Sequence, residues 1–455
     1  MDLNGKRVLV VGLGRSGIAA AQLCAARGAR VTVTDKRDAA ALPGLDALPP
    51  EVARELGGHR RETFTGAELI VLSPGVPEIP ELAAARSAGV AITGEMELAS
   101  RFVSSTLIAI TGTNGKSTTT TLVGEMMRAT GRPTFVGGNL GEPLAEAVTT
   151  PAAETRGVCV VEASSFQLET VETFRPQVAV LLNVTADHLD RYPDLDAYAA
   201  AKARIFAAQT GDDFAVVNVE DPVAMRASRG VASRRIGFSI VQPLPEGAYT
   251  DDNALVVKLP DQEPERYTST LPWLVGQRHN QANALAALLA SRLAGAPQAA
   301  VRAGLLAFRP LAHRMELVAD AGGIAYYDDS KGTNVGAVVA SLDGFPRRVV
   351  LIAGGRDKGG DYAPLTAVLA RVGRAAVLIG EAADKMQAAF ADTLPVERAA
   401  TMDDAVEAAR RLAQAGDAVV LSPACSSFDM FRDYAHRAAV FRAAVARVVA
   451  GERSS

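Results

Sequence analysis

The stretch VLVVGLGRSGIAAA, Val8 to Ala21, decides the class of fold. A short apolar run ends in Gly-Leu-Gly-Arg-Ser-Gly, and an Ala-rich stretch of helical character follows it. A second apolar run, RVTVTD, closes on Asp35, 18 residues after Gly17. Strand, glycine turn, helix and a second strand ending in a carboxylate make the layout of a dinucleotide-binding turn. Its glycines let the backbone approach a pyrophosphate that faces the helix N-terminus. Taken alone, the motif permits a nicotinamide-dependent oxidoreductase.

Outward from this stretch the same alternation recurs. KRVLVVG, RVTVTD and ELIVLSPG fill the first 75 residues; STLIAITG, GVCVVEAS, QVAVLLNV and DFAVVNVE lie between about 105 and 220. AYYDDS, RRVVLIAGG, RAAVLIGE and DAVVLSPA lie between 325 and 424. Continuous apolar strands separated by helices predict parallel sheets covered on both faces. Three groups predict an α/β chain of three domains, each a mostly parallel sheet with flanking helices. The boundaries fall near 94–102 and 294–310, giving domains 1–97, 98–305 and 306–455. A less regular part, about 240–275, reads as extended strands or loops decorating the middle domain.

With 455 residues, two to four domains are expected. A net charge of −4 leaves no electrostatic footprint for nucleic acid. No apolar run reaches the ~18 residues of a membrane span, and MDLNGKRV offers no apolar segment of a secretory signal. Cys24, Cys159 and Cys425 are widely spaced and lack CxxC pairing, so a disulfide framework or zinc site is not expected and a reducing cytoplasm is.

Four features carry chemistry. ITGTNGKSTTT, Ile110 to Thr120, puts Gly-Lys-Ser between a strand and a helix, as a phosphate-binding loop does. The full GxxxxGK[ST] pattern fails at Ile110, and a helix cap with a surface lysine is the plainer alternative. VCVVEASSFQL ends a strand on Glu162, either a Mg²⁺ ligand or a cap of the next helix. LLNVTADHLDRY places His188 between Asp187 and Asp190 at a strand end, either for metal or phosphate or as a structural side chain. Lys202 shares a helical face with Leu195, Tyr198, Ile205 and Phe206. It either snorkels or carries modified chemistry, such as a CO₂-derived carbamate that turns the cation into an anion able to bind Mg²⁺.

Further polar loops follow apolar runs: HNQANALAA, LAHRMEL, DDSKGTN, GGRDKGGD and LSPACSSFDMF. Together with TGTNGKST, EASSFQL, NVTADHLDRY and YAAAKARIF, in this order, they resemble the Mur ligase family over nearly the whole chain. These are ATP-dependent amide-forming enzymes of peptidoglycan synthesis. VGLGRSG, DSKGTN and SPACSSFDMF resemble the D-glutamate-adding branch, and a DNPR-type motif of the diaminopimelate-adding branch is absent from the sequence.

The resemblance implies a Rossmann-like domain for the UDP end of the substrate, a P-loop ATPase-like domain for ATP and Mg²⁺, and a second Rossmann-like domain for the amino acid. It implies Lys116, His188 and Lys202 as catalytic, with ATP held by Gly112, Thr113, Asn114, Gly115, Lys116, Ser117, Thr118, Asn280, Arg314, Asp329 and Lys331. Ser117, Glu162, His188 and a carbamylated Lys202 would serve Mg²⁺, at two sites. Arg15, Ser16, Asp35, Lys36, Arg37, Ser73 and Asn139 match positions near UDP-N-acetylmuramoyl-L-alanine. Thr333, Lys358, Ser427 and Tyr434 match positions for D-glutamate. A cytoplasmic monomer that binds no nucleic acid and inserts in no membrane is expected. Two departures touch loop geometry: Gly276 stands one residue further from His279-Asn280 than in the usual G-x-H-N, and Gly332 replaces a common Ala. The rival readings are a folylpolyglutamate-synthase-like ligase, a nicotinamide-dependent oxidoreductase and a non-catalytic nucleotide-binding regulator.

Overall fold

Residues 1–252, 254–275 and 277–452 are described by the computed structural model; Gly276 lies outside them. The chain forms two compact units. The first comprises Met1–Val184, Ala199–Thr268 and Ala282–Phe308; the second comprises Thr185–Tyr198, Ser269–Gln281 and the chain from Arg309 onward.

The first unit holds two sheets. In the N-terminal one, β1 (Arg7–Val11), β2 (Arg30–Asp35), β3 (Ala53–Leu56), β4 (Leu69–Leu72) and β5 (Ala91–Gly94) run in the order 3-2-1-4-5. Every pairing is parallel. Val8, Leu9, Val10 and Val11 are all buried, which a sheet covered on both faces requires. The strand order diverges at β1 and β4, so the glycine turn after β1 opens at the switch point, where ligands bind in such sheets.

The second sheet adds β6 (Thr106–Thr111), β7 (Thr134–Gly138), β8 (Val158–Glu162), β9 (Val178–Leu181), β10 (Phe214–Asn218) and β11 (Arg234–Ser239). It continues through β12 (Gly247–Asp251), β13 (Ala254–Lys258) and β14 (Glu265–Thr268), in the order 14-13-12-11-10-9-6-8-7. Among the described residues, only β13 and its two neighbours pair antiparallel in this sheet, so the irregular stretch near 240–275 holds a meander extending it.

The helix Glu95–Ser100 joins the two sheets and is buried rather than exposed. Its Glu97 carboxylate accepts from the amides of Glu172, Thr173 and Phe174 at 2.9, 3.1 and 2.9 Å, and from Arg101 Nε at 2.9 Å. On the other side of the helix, Glu95 accepts from Ala145 N at 2.7 Å, and burial pushes its carboxyl up to about 7. Two glutamates on the short helix that follows β5 thus fasten it to segments of the second sheet, around Ala145 and Glu172–Phe174.

The second unit is built on β15 (Glu316–Ala321), β16 (Ile324–Asp328), β17 (Val349–Gly354), β18 (Gly373–Ile379), β19 (Val396–Arg398) and β20 (Ala418–Leu421). The order is 15-16-20-17-18-19, and among the described residues only β15 and β16 pair antiparallel. Leu351 and Ala353 pack on one face, Val350 and Ile352 on the other. The three cysteines are free and buried. Among the described residues, no helix is long and apolar enough to cross a membrane.

Candidate functional site

The N-terminal glycine turn leaves β1 at Gly12, whose φ is +84°. Glycine is required at position 17 for a different reason: a Cβ there would lie 1.9 Å from the Gly12 carbonyl oxygen. Gly14 caps the helix Arg15–Ala26 without a side-chain bond, and no acid occupies its first turn, which favours an anion at its N-terminus. Ser73 Oγ donates to the Gly12 carbonyl at 2.6 Å, bringing the β4 end to the turn.

Asp35 is buried, and the chain itself occupies both its oxygens. Arg37 donates from Nε to Oδ1 at 2.9 Å and from Nη2 to Oδ2 at 2.8 Å; Leu13 N donates to Oδ2 at 2.8 Å. Burial works against its charge, but these bonds outweigh it and hold the carboxyl well below the usual range. Asp35 therefore fixes Arg37 and the glycine turn. A dinucleotide motif would instead aim this carboxylate at a ribose. Lys36 is exposed beside it, and Ser16 is half-buried in the first helical turn.

The second loop is shaped by two neighbouring strands and the helix Arg278–Leu293, which carries Asn283. β6 delivers Gly112 to Gly115, and the helix Lys116–Arg128 follows. Gly115 has φ +85°, and a Cβ there would meet Asn283 Oδ1 at 2.2 Å. Asn183, just past β9, accepts from Asn114 N at 2.8 Å and donates to its carbonyl at 3.0 Å, while Thr113 N donates to the Asn183 carbonyl at 2.9 Å. Neither Asn183 nor Asn283 stands out in the sequence, because an asparagine that shapes a loop leaves no spacing signal. Ser117 and Thr118 are buried in the first helical turn.

Lys116 Nζ donates to the carbonyls of Gly112 and Thr113 at 2.9 and 2.8 Å. Lys202 is 1% exposed, and its Nζ donates to the same Gly112 carbonyl at 2.9 Å. Snorkelling is thereby excluded, since the ammonium points inward to the loop rather than outward to water.

Glu162 pairs in register with Ile110, one strand away from the loop. Its Oε1 accepts from Asn139 Nδ2 at 2.6 Å. Its Oε2 is buried with no hydrogen-bond partner among the described residues. The helix Ser165–Leu168 is capped by Ser164 in a capping box with Gln167, so capping does not account for Glu162. A buried carboxylate oxygen with no donor is costly unless a cation meets it, and a divalent cation fits this residue.

The second unit holds the remaining candidates. Asp187, largely buried, accepts from Lys358 Nζ at 3.3 Å and from Asn334 Nδ2 at 3.1 Å. Next to it, His188 takes a left-handed backbone with φ +56°, and its Nε2 lies 3.7 Å from the Asp187 carboxylate. Asp187, Thr333, Asn334, Lys358 and Tyr362 line a cavity of about 400 Å³. Lys331 Nζ lies 5.1 Å from the centre of the Tyr434 ring, so a candidate ATP residue touches a candidate amino-acid residue. Ser427 is buried nearby in sequence, after β20.

Asp329 is buried and accepts from Ser422 Oγ at 2.5 Å; burial pushes its carboxyl up to about 6 against the pull of that bond and of Arg314. A Cβ at Gly332 would come within 2.8 Å of Asp329 Oδ2, so this loop is packed for the glycine that departs from the family's alanine. Asn280 Nδ2 donates to the Trp273 carbonyl at 2.9 Å. His313, Glu316 and Asp328 lie close enough together to hold a metal ion. Arg442 already bridges Glu316 and Asp328 at 2.5 and 3.2 Å, supplying the cation that cluster needs.

Three family models match the chain: Mur ligase MurD-like, N-terminal domain, at residues 6–94; Mur ligase middle domain, at 110–291; and Mur ligase, glutamate ligase domain, at 313–425. The UDP-N-acetylmuramoylalanine–D-glutamate ligase of Geotalea daltonii is 47% identical over 99% of this chain and 100% of its own length. That of Anaeromyxobacter dehalogenans is 50% identical over 97% of both. Among solved structures, a pseudomurein peptide ligase type C from Methanothermus fervidus matches with a TM-score of 0.64 at 17% identity, covering 98% of this chain and 100% of that one. Folylpolyglutamate synthase of Mycobacterium tuberculosis matches with a TM-score of 0.54 at 19% identity, covering 78% of this chain and 92% of that one. These two likenesses concern the fold.

Proposed function

The chain belongs to the Mur ligase family, and from that premise we propose how its own residues perform the reaction. It is an ATP-dependent, amide-bond-forming ligase of peptidoglycan synthesis that adds D-glutamate to UDP-N-acetylmuramoyl-L-alanine. The match of residues 6–94 to a Mur N-terminal domain sets aside the folylpolyglutamate and oxidoreductase readings. The proposed domain limits are 1–97, 98–305 and 306–455, supported by three sheets and three family matches in series.

The observation that carries the chemistry is the cradle around Gly112. A carboxylate is a poor electrophile, so the γ-phosphate of ATP is first transferred to the alanyl carboxylate, giving an acyl phosphate. Two anions must approach each other, and Lys116, at the start of its helix, screens their repulsion. Glu162, Ser117 and His188 would hold Mg²⁺, which when bound supplies charge neutralisation on the phosphates. The backbone of Gly112 to Gly115 and the hydroxyl of Thr118 position the phosphate chain, while Asn280, Arg314, Asp329 and Lys331 serve adenosine and phosphate. The amine of D-glutamate then attacks the acyl carbon and phosphate leaves. Lys358, Thr333, Ser427 and Tyr434 hold the amino acid, and Arg15, Ser16, Lys36, Arg37, Ser73 and Asn139 hold the nucleotide end around the Asp35 anchor.

Lys202 acts after modification. Its neutral amine adds to CO₂, forming an N–C bond and releasing one proton, which leaves a carbamate anion. The change would turn two ammonium groups on one carbonyl into a cation and an anion side by side. The chain is proposed to work as a monomer in the cytoplasm, where ATP and the UDP-linked precursor meet.

The deciding assay measures phosphate release with ATP, Mg²⁺ and UDP-N-acetylmuramoyl-L-alanine, comparing D-glutamate with L-glutamate, L-lysine and L-alanine. Release that depends on D-glutamate is expected. Release independent of the amino acid supplied would overturn the assignment.

A further inference from the structure

The five-residue loop that follows β7 links two proposed sites at once. Gly138 N donates to the Glu142 carbonyl at 2.7 Å, closing the loop on itself. Asn139 lies inside it and bonds Glu162 through side chain and backbone, at 2.6 and 2.8 Å. At its far end, Glu142 Oε1 accepts from Arg15 Nη2 at 2.7 Å. Arg15 is the first residue of the helix that starts at the N-terminal glycine turn. The pair therefore runs from the edge of one sheet to the glycine turn of another, within one compact unit.

Arg15 and Glu142 are exposed, with 65% and 51% of their side-chain surfaces accessible. An ion pair this wet is weak and readily exchanged for another anion. The helix start beside Arg15 has no side-chain cap and no acid in its first turn, so an anionic ligand meets no intrahelical competitor there. Glu142 is the one carboxylate bonded to Arg15 among the described residues. Arg15 holds the Glu142 carboxyl below its ordinary range, while burial and Glu142 itself push Glu146 up, so Glu142 is the more readily ionised of the two.

We propose that Glu142 tunes the nucleotide end of the site by competing with the substrate's diphosphate for the Arg15 guanidinium. Glu142 parks Arg15 across the turn when the site is empty, and the diphosphate displaces it on binding. Removing Glu142 then tightens nucleotide binding, and removing Arg15 loosens it. The reading rests on the assignment of the N-terminal turn to the UDP end of the substrate.

The test is calorimetric binding of UDP to the full chain at low and high salt, with ADP as the control ligand. Glu142→Gln is expected to bind UDP about two- to fivefold more tightly than the unmodified chain at low salt, with the difference collapsing at high salt. Glu142→Asp, too short to span the gap, should behave alike. Arg15→Gln should weaken UDP binding, and adding Glu142→Gln to it should change nothing further. ADP affinity and melting temperature should not follow this pattern. A purely structural loop would instead weaken both nucleotides and lower the melting temperature, overturning the proposal. Equal UDP affinity of Glu142→Gln and unmodified chain at low salt would also overturn it. Absence of UDP binding by the unmodified chain would instead remove the nucleotide assignment on which it rests.

Discussion

Lys116 and Lys202 meet at one atom, the carbonyl oxygen of Gly112, to which both ammonium groups donate at 2.9 Å. Two cations on one acceptor repel, and one of them is buried at 1% exposure. The carbamate proposed on Lys202 would place an anion beside the Lys116 cation. Lys202→Ala should therefore lower turnover by about a hundredfold or more, with partial recovery on adding short carboxylates. A ¹³C-bicarbonate NMR signal for a carbamate should be seen in the unmodified chain and lost in the variant. Full activity in Lys202→Ala would refute the modification.

Glu162 has one oxygen bonded to Asn139 and one buried without a donor among the described residues. Glu162→Gln keeps the shape and removes the charge. The Mg²⁺ concentration needed for half-maximal phosphate release should rise by at least the ~10- to 100-fold that loss of an outer-shell group costs a metal site. An unchanged Mg²⁺ dependence would assign Glu162 a structural role.

Glu97 gathers three backbone amides, the Thr173 hydroxyl and Arg101 at the junction of the first two sheets. Burial opposes its charge, yet the bonds from Thr173, Glu172 and Arg101 lower its pKa below the ordinary 4.5. A depressed folded-state value stabilises the fold above the unfolded value, and the contribution is lost as pH falls through the folded one. Glu97→Ala should destabilise the first unit by about 3 kcal/mol or more, because the amides it served stay buried and unpaired. Denaturation midpoints measured from pH 7 to pH 3 should decline less steeply in the variant.

His279 carries the opposite kind of shift. Burial, and secondarily Arg314, push its ring down to about 4, against a hydrogen bond to the backbone of Ala340. The folded state favours the neutral ring, so the unfolded chain binds more protons between about 4 and the ordinary 6.5. Stability should fall as pH drops from 6.5 towards 4, and His279→Gln should flatten that slope. NMR titration of the ring should show no midpoint near 6.5. A normal midpoint would mean the ring is solvated.

The strands that build the cores were legible because parallel sheets covered on both faces demand unbroken apolar runs, as VLVV and VVLIAG show. β3, β5, β7 and β19 were not, being three to five residues long and partly polar. Lys202 was legible as a buried lysine from helical spacing, but the spacing could not name Gly112 as its acceptor. Asp35 matched a ribose-binding position by its distance from Gly17, whereas its oxygens serve Leu13 and Arg37. Glu95 and Glu97 carry no signal in the sequence beyond their place near the 94–102 boundary, since only the fold brings their partners to them. The segment Thr185–Tyr198 follows a strand of the first unit yet belongs to the second, a division no local pattern encodes.

Lys358 is held by Asp187 in the cavity of the second unit, at 3.3 Å. A carboxylate already sits on the ammonium proposed to receive a D-glutamate carboxylate, so the chain itself supplies the geometry of that contact. Lys358→Ala should raise the KM for D-glutamate by the ~10- to 100-fold expected for one charge-assisted hydrogen bond, leaving the KM for ATP near its original value. Lys358→Arg should recover part of the loss, since it restores the charge with a different donor geometry. An equal rise in the KM of both substrates would show that Lys358 stabilises the unit through Asp187 instead of meeting the amino acid.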